Sequence, residues 1–223
     1  MEKSVEIQLS NKGSDLYIFF GGIAAGIAMP PFEFYNAAGI LEQHKIFIRD
    51  FHQNWYQNGL EGISQNVTTT TNFINKKINE IKPEKIYFVG NSMGGFAAIL
   101  FARLIGRGEV IAFAPQTFIC PIERIKKSDY RWFKQVFITY LSTFSKATYF
   151  NLKKLLLEKG GDNKISIFVS IEHRLDYQHA LYLKGVDGVE IYEFSGFGHG
   201  IVKYLRDSGS LPDIMSGNYN KNI

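Results

Sequence analysis

The stretch that decides the fold is Ile86-Tyr87-Phe88-Val89-Gly90-Asn91-Ser92-Met93-Gly94-Gly95, and an apolar run over 96–102 follows it. Its first four residues are β-branched or aromatic, as in a buried strand, and the later run continues with good helix formers as far as Gly106. Between the two lies a G-x-S-x-G motif centred on Ser92. A strand, a sharp turn and a helix are the context in which this motif holds a serine hydroxyl at the tip of a turn. We therefore interpret Ser92 as a candidate nucleophile.

The flanking glycines, Gly90 and Gly94, have a steric explanation. The turn brings the incoming strand and the outgoing helix into near contact, which leaves no room for a Cβ atom at either position. The first amides of the helix then point towards any anion that forms beside the serine. An alternative interpretation is a glycine-rich turn that merely packs tightly, and the motif by itself does not exclude it.

Length and composition predict one domain, because 223 residues with 45% hydrophobic and 15% aromatic content can bury a substantial core. The net charge of +4, without a run of five basic residues, does not favour nucleic acid as a partner. The charged N-terminus and the lack of a long apolar run predict a cytoplasmic protein without stable membrane insertion. Cys120 is the only cysteine, so neither an intrachain disulfide nor a cysteine-based zinc site is possible.

Strand and helix patterns alternate along the chain. The predicted strands besides the one before Ser92 are 5–9, 16–20, 45–49, 109–114, 164–170 and 189–194. The first alternates as an edge strand does, and turn residues at 11–14 predict a hairpin with the second. Apolar residues on one face predict a helix over 67–81, and the polar tail from Gly209 is expected to be frayed.

The glycine-rich stretch Gly21-Gly22-Ile23-Ala24-Ala25-Gly26 follows the buried strand 16–20. Paired glycines let the backbone come close to a ligand, so amides near Gly22 and Ile23 are placed to donate to a developing oxyanion. The other interpretation, a loop that needs positive φ angles, stays open. The stretch is not a phosphate-binding loop, because it lacks G-K-[ST].

Polar and aromatic side chains also follow the predicted strand 45–49. In a parallel sheet that strand end faces the ligand crevice, so Asp50, His52, Trp55 and Tyr56 are candidates for lining a pocket. Structural caps and packing aromatics are an equally good interpretation of the same residues.

No strand pattern appears between 117 and 163, and this insertion is too long for an ordinary connection. It holds nine Lys or Arg against four Asp or Glu, which favours an anionic substrate or partner. Three interpretations stay open: a helical lid over the site, an amphipathic structural pair with solvated lysines, or a membrane-surface helix. The intermixing of apolar and basic residues makes the last the least favoured.

A serine hydroxyl needs a base to remove its proton and a third group to orient that base. His199 lies in a glycine-flanked loop after the last predicted strand, and Asp176 follows the strand before it. Both lie at carboxyl strand ends, and the order Ser92, Asp176, His199 is the one expected for this architecture. Glu172 and Asp187 compete as the acid, and Asp176 has an alternative role as a helix cap. The histidines at positions 44, 52, 173 and 179 have the wrong position or order.

The alternating strands and helices, the turn Gly90-Asn91-Ser92-Met93-Gly94, the Gly21-Gly22 loop, Asp176 and Gly198-His199-Gly200 together resemble the α/β-hydrolase superfamily. The resemblance covers most of the chain. It implies an α/β fold with a central, mainly parallel sheet flanked by helices, and a helical lid formed by 117–163. It also implies Ser92 as nucleophile, His199 as general base and Asp176 as the acid that orients it.

The resemblance further implies an oxyanion hole made of the Met93 amide and one amide from Gly22 or Ile23. Many relatives read His-Gly in the first glycine loop, and this chain lacks that histidine. The choice between Gly22 and Ile23 therefore stays open.

These patterns predict a serine hydrolase that cleaves a carboxylic ester, such as an O-acyl or O-acetyl ester, through an acyl-enzyme at Ser92. An acyltransferase with the same three residues stays open, and so does a non-catalytic binding protein. The stretch 49–56 also resembles small bacterial hydrolases that accompany surface-glycan synthesis. We expect a small-molecule or glycan ester as substrate, and neither a cofactor nor a metal.

Overall fold

The computed structural model describes residues 3–23, 34–143, 148–196, 198–217 and 219. Within these residues seven strands form one sheet in the order β1-β3-β2-β4-β5-β6-β7. The strands are β1 (Val5–Gln8), β2 (Leu16–Phe20), β3 (His44–Ile48), β4 (Ile86–Asn91), β5 (Glu109–Phe113), β6 (Ile165–Ser170) and β7 (Val189–Phe194). Only the pair β1 and β3 is antiparallel. The predicted mainly parallel sheet is thereby confirmed.

Helices cover both faces of the sheet. They are α1 (Val67–Ile81), α2 (Met93–Ile105), α3 (Pro121–Lys126), α4 (Phe133–Ser142), α5 (Leu152–Glu158), α6 (Arg174–Tyr182), α7 (Ile201–Asp207) and α8 (Leu211–Met215), with a 3₁₀ turn at Ala37–Ile40. Helix α1 has the predicted bounds because Asn66 and Thr69 form a reciprocal capping box at its start. In the part of the chain that the structure describes, no helix is long and apolar enough to cross a membrane.

Two apolar cores sandwich the sheet. Leu16, Ile18 and Phe20 of β2 face the core under α1, α2, α5 and α6, while Tyr17 and Phe19 face the core under α7 and α8. Successive side chains of a strand point to opposite faces, so a strand that is covered on both sides must be apolar throughout. This requirement explains the unbroken apolar run of β2.

The predicted hairpin between the first two strands is wrong. Strand β1 pairs with β3, with Val5 opposite Ile48, and β2 lies between β3 and β4. The fully buried β2 needs a partner on both of its edges, whereas the half-exposed β1 is suited to an edge of the sheet.

The expectation of a frayed tail is also wrong for the described residues after Gly209. Helix α8 buries Leu211, Ile214 and Met215 in the second core. Beyond it, the Tyr219 hydroxyl donates to Ser166 Oγ at 2.7 Å. Apolar side chains at helical spacing anchor this polar segment to the sheet.

The long insertion has two parts. Helices α3 and α4 contact each other, and we call residues 121–143 the cap. Helix α5 instead packs on α2, where Leu152, Leu155 and Leu156 join the first core. It is therefore the crossover helix that precedes β6. Residues 144–147 lie outside the described residues.

Candidate active site

Ser92 occupies a strained turn between β4 and α2. Its φ of 54° and ψ of −113° lie in a region that residues with a side chain rarely adopt. The Ser92 N–H donates to the Phe113 carbonyl at 2.9 Å, and the Ser92 carbonyl accepts from the N–H groups of Phe96 and Gln116, each at 3.1 Å. Strain of this kind persists only where the surroundings hold it, and these three hydrogen bonds do so.

The flanking glycines are required by close backbone approach. A Cβ on Gly90 would overlap the Gly94 carbonyl, and a Cβ on Gly94 would overlap the Phe20 carbonyl oxygen. The second contact places the end of β2 beside the first turn of α2, which begins at Met93. The first amides of a helix have no intrahelical partner, so the first turn of α2 is suited to bind an anion.

The glycine loop after β2 is held by an aromatic hydroxyl. The Tyr56 hydroxyl donates to the Gly21 carbonyl at 2.9 Å, and Tyr56 is fully buried. Gly22 and Ile23 follow directly, whereas the predicted loop residues 24–26 lie outside the described residues. The oxyanion role of Met93, Gly22 and Ile23 stays a prediction.

Asp176 and His199 are brought together from two different loops. His199 Nδ1 lies 2.5 Å from Asp176 Oδ2, and the other oxygen of that carboxylate accepts from Arg131 Nη1 at 2.6 Å. Asp176 is 1% exposed, while the His199 side chain is 47% exposed. The pair lies at the carboxyl ends of β6 and β7, the same sheet edge as Ser92.

The surroundings of Asp176 keep its carboxylate ionised. Burial by itself would raise the pKa of Asp176, but the hydrogen bond from His199 and the charge of Arg131 outweigh burial and lower it. A carboxylate that accepts from Nδ1–H leaves the other ring nitrogen, Nε2, free to take a proton.

His173 shares the same carboxylate oxygen. Its Nδ1 lies 2.9 Å from Asp176 Oδ2 and also accepts from the Asp176 backbone N–H at 3.3 Å. Within the described residues, His173, Asp176 and His199 form the cluster whose ligand atoms are close enough to hold a metal ion. The Arg131 guanidinium on the same carboxylate disfavours a second cation there.

Ser92 and His199 are not hydrogen-bonded in the described part of the chain. Ser92 Oγ instead accepts from Gln116 Nε2 at 3.1 Å, and the residue is 8% exposed. Catalytic hydrogen bonds are often long before substrate binds, so this geometry does not disqualify the pair.

The orientation of the Gln116 amide is fixed by two donors. Its Oε1 accepts from Trp55 Nε1 at 3.0 Å and from Arg124 Nη2 at 2.6 Å. The Nε2 group must therefore face Ser92 Oγ. Because Oγ accepts this bond, its own proton is left to point towards a base.

A buried carboxylate, Asp129, connects the cap to this arrangement. It accepts from Arg131 Nε and Nη2 at 2.9 Å each and from His179 Nε2 at 3.0 Å, and Arg124 Nη1 lies 3.6 Å away. His179 Nδ1 accepts the Thr117 backbone N–H at 3.0 Å, so the ring is neutral. Burial lowers the pKa of His179 to about 4.

We call Gln116, Arg124, Asp129, Arg131 and His179 the polar network. It runs without a break from Ser92 to Asp176, because the Arg124 Nη1 group also donates to the Arg131 carbonyl at 2.6 Å. Sequence reasoning missed it. The one available signal was that Gln116 follows the strand beside the serine-bearing strand, where side chains reach a site at the sheet edge.

Asp50 and Tyr56, two of the predicted pocket residues after β3, have structural roles. Asp50 accepts the backbone N–H groups of His52, Asn54 and Tyr56 at 2.8–2.9 Å, so it stabilises a turn. The His52 side chain is exposed, and the indole of Trp55 is buried against Gln116. The structural interpretation is therefore the one that holds for Asp50.

The competing acids are exposed, whereas Asp176 is buried. Glu172 is exposed and accepts from the Ser170 hydroxyl at 2.8 Å, and Asp187 is exposed as well. Helix α6 is capped by His173, with Asp176 inside its first turn. The alternative role of Asp176 as that helix's N-cap is therefore wrong.

Comparison with solved structures identifies the fold. The capsule O-acetyltransferase of Neisseria meningitidis serogroup A superposes with a TM-score of 0.69 at 15% identity, covering 96% of this chain and 91% of that one. MenH from S. aureus gives 0.61 at 16% identity with 98% of each chain covered. MGS-M2, an α/β-hydrolase enzyme from a Medee basin deep-sea metagenome, gives 0.61 at 13% identity, covering 97% and 94%. No protein-family model and no curated protein matches the sequence.

The chain therefore has the α/β-hydrolase fold, as the sequence resemblance implied. At this level of identity the similarity extends to the fold and leaves the chemistry to be argued from the site.

Proposed function

We propose that this protein is a serine hydrolase that cleaves a carboxylic ester, of the O-acyl or O-acetyl kind, through an acyl-enzyme at Ser92. The observation that supports it best is the strained Ser92 turn at the same sheet edge as the Asp176–His199 pair. Serine, acid and base in that chain order match the logic of this fold.

In the proposed mechanism, Ser92 Oγ attacks the ester carbonyl while His199 Nε2 takes its proton. Asp176 holds the His199 Nδ1–H and stabilises the imidazolium that forms. The amides of Met93 and of Gly22 or Ile23 bind the oxyanion. His199 then protonates the departing alcohol, and water releases the acid from Ser92 by the reverse sequence.

Gln116 is given a role in the same step. Its Nε2 group donates to Ser92 Oγ at 3.1 Å and so fixes the direction in which the hydroxyl presents its proton and its attacking lone pair. Arg124 and Trp55 keep the amide in this orientation. Arg131 positions Asp176 through the 2.6 Å contact with its carboxylate.

A second candidate is an acyltransferase that uses the same residues, with an alcohol in place of water. The 8% exposure of Ser92 supports it, because a shielded acyl-enzyme is protected from hydrolysis. The fold similarity to a capsule O-acetyltransferase makes a surface-glycan hydroxyl the acceptor to try first. A non-catalytic binding protein of the same fold is the third hypothesis.

Labelling with a fluorophosphonate probe tests the proposal. We expect one adduct on Ser92 by peptide mass spectrometry, and none on a Ser92→Ala variant. Ser195→Ala is the matched control, because this serine is exposed and is not among the proposed site residues. The absence of an adduct, together with no turnover of p-nitrophenyl acetate, would favour the binding protein.

Product partition separates the two enzyme classes. With p-nitrophenyl acetate and a glycan acceptor, a hydrolase releases free acetate in proportion to p-nitrophenol. A transferase yields acetylated glycan. The ratio of acetylated glycan to free acetate then rises with acceptor concentration. Both reactions should disappear in Ser92→Ala.

A further inference from the structure

The cap exposes the kind of side chain that helices normally bury. Of the fifteen large hydrophobic residues that are exposed in the described chain, eight lie between 122 and 141. They include Ile122 and Ile125 on α3, and Phe133, Phe137, Ile138 and Leu141 on α4, with exposed fractions of 45–62%. A concentration of this size marks an interaction surface, whereas single exposed apolar residues do not.

The side of the cap that faces the protein carries buried polar side chains. Helix α3 buries Arg124, and α4 buries Thr139 beside Val136. The Thr139 hydroxyl donates to the Gln135 carbonyl at 2.7 Å, so its polarity is satisfied within the helix. The cap therefore packs on the protein through Val136 and buried polar side chains, and it leaves most of its large apolar side chains without a partner in the described structure.

The charges around this surface are mostly positive. Lys126, Lys127 and Lys134 are exposed, and the acid that accompanies them, Glu123, already pairs with Lys126 at 3.2 Å. Lys134 lies three and four residues before Phe137 and Ile138, so it shares their helix face.

Two exposed aromatic residues, Tyr130 and Trp132, precede α4. Each combines an apolar ring with a polar atom.

This combination favours lipid over protein. Lysine is depleted from the cores of protein–protein interfaces, whereas lysines beside Trp, Phe and Leu are typical of helices that lie in the plane of a bilayer. Each basic residue near an anionic bilayer adds attraction, and its long stem lets the ammonium group reach the headgroups.

We propose that the outer face of the cap docks peripherally on an anionic phospholipid surface. The inference does not depend on the proposed catalytic function, since it rests on exposed residues outside the polar network. Arg124 of the same cap contacts Gln116, which in turn donates to Ser92 Oγ, so the cap connects the proposed docking face to the polar network.

Vesicle cosedimentation tests this proposal. The probes are phosphatidylcholine vesicles and vesicles in which about a quarter of the lipid is phosphatidylglycerol. We expect the wild-type protein to bind the anionic vesicles and to leave them at high salt, with little binding to phosphatidylcholine alone. Equal sedimentation with and without anionic vesicles would overturn the proposal.

Two triple variants separate the contribution of the lysines to vesicle binding from that of the apolar side chains. Lys126→Gln, Lys127→Gln and Lys134→Gln together should weaken binding about fivefold per lysine. Phe133→Ser, Phe137→Ser and Leu141→Ser together should abolish it.

The matched control replaces three apolar residues elsewhere that are 58–69% exposed. It combines Leu9→Ser, Ile40→Ser and Leu157→Ser, and it should bind as the wild type does.

Circular dichroism and the urea denaturation midpoint check that each variant is folded. If the control loses binding as much as the apolar cap variant, the surface is not specific and the proposal fails. Sedimentation velocity without lipid gives the remaining outcome. A dimer that the apolar cap variant converts to a monomer would identify a second copy of this chain as the occupant and overturn the lipid assignment.

Discussion

Helices α1 and α4 are built in opposite ways. Helix α1 buries Ile74 and Ile78 against the sheet and turns Lys76 to solvent, with 73% of that side chain exposed. Helix α4 buries Val136 and Thr139 and leaves Phe133, Phe137, Ile138 and Leu141 exposed. Most large apolar residues therefore face the protein in α1 and the solvent in α4.

Stability and the candidate function depend on different parts of this fold. Helix α1 belongs to the scaffold, in which buried apolar area holds the sheet together. The cap contributes little to that core, and its inward arginines instead contact the groups around Ser92 and Asp176. Substitutions in the scaffold should then change stability, and substitutions in the cap and the site loops should change activity.

The largest expected effect lies at the site. Asp176→Asn should lower kcat by about 10⁴-fold, because the amide no longer holds the productive tautomer of His199. Steady-state kinetics on p-nitrophenyl acetate measures it. Glu172→Gln is the matched control and should be nearly silent. If the two variants behave the other way round, the assignment of the acid is wrong.

A paired substitution tests the scaffold against the cap directly. Ile74→Ala in α1 should lower the free energy of unfolding by about 2–5 kcal/mol, because Ile74 is 1% exposed and leaves a cavity. Phe137→Ala in α4 removes more atoms but should cost less than about 0.5 kcal/mol, since Phe137 is 48% exposed. Urea denaturation gives both values. Similar losses from both would contradict the contrast between the helices.

Acid should weaken the fold through His179. Its folded pKa of about 4 lies below the ordinary 6.5, so the unfolded chain binds more protons between these values. The free energy of unfolding should therefore be fully retained above pH 6.5 and fall by up to about 1.4 kcal/mol per unit towards pH 4. Denaturation at several pH values measures the slope. His179→Gln should flatten it, and an unchanged slope would assign the effect to other groups.

The smallest effect is expected at Gln116. Gln116→Leu should lower kcat about tenfold to a hundredfold while KM changes little, because the bond orients Ser92 Oγ for attack and does not contact the substrate. Stopped-flow measurement of the acylation step tests this. Gln116→Glu keeps the shape but places a carboxylate beside Oγ and should slow acylation further. A Gln116→Leu variant with unchanged kcat would reduce the role of Gln116 to packing.

Much of the fold was predictable from local physics. Apolar residues on one face predicted a helix over 67–81, and the structure begins and ends α1 at those residues, with Asn66 as its N-cap. The steric demand on Gly90 and Gly94 is also local, because strand, turn and helix are contiguous in the chain. The approximate meeting of Asp176 and His199 followed from strand order, since parallel strands end at the same edge of a sheet.

The partner of β1 was not predictable in the same way. Turn residues at 11–14 permit a hairpin, but the choice between β2 and β3 depends on which strand must be buried on both faces. That comparison involves every strand of the sheet at once.

The strand and helix periods, the sharp turn at Ser92 and the chain order of the candidate site residues can be read from the sequence, because each depends on neighbours along the chain. Three features depend on tertiary contacts instead: Gln116 orients Ser92, Arg131 joins the cap to Asp176, and α4 turns most of its large apolar side chains outward. A hydrophobic period identifies the two faces of a helix but not which of them meets the protein. Packing over long sequence separations makes that choice, through contacts that no local pattern contains.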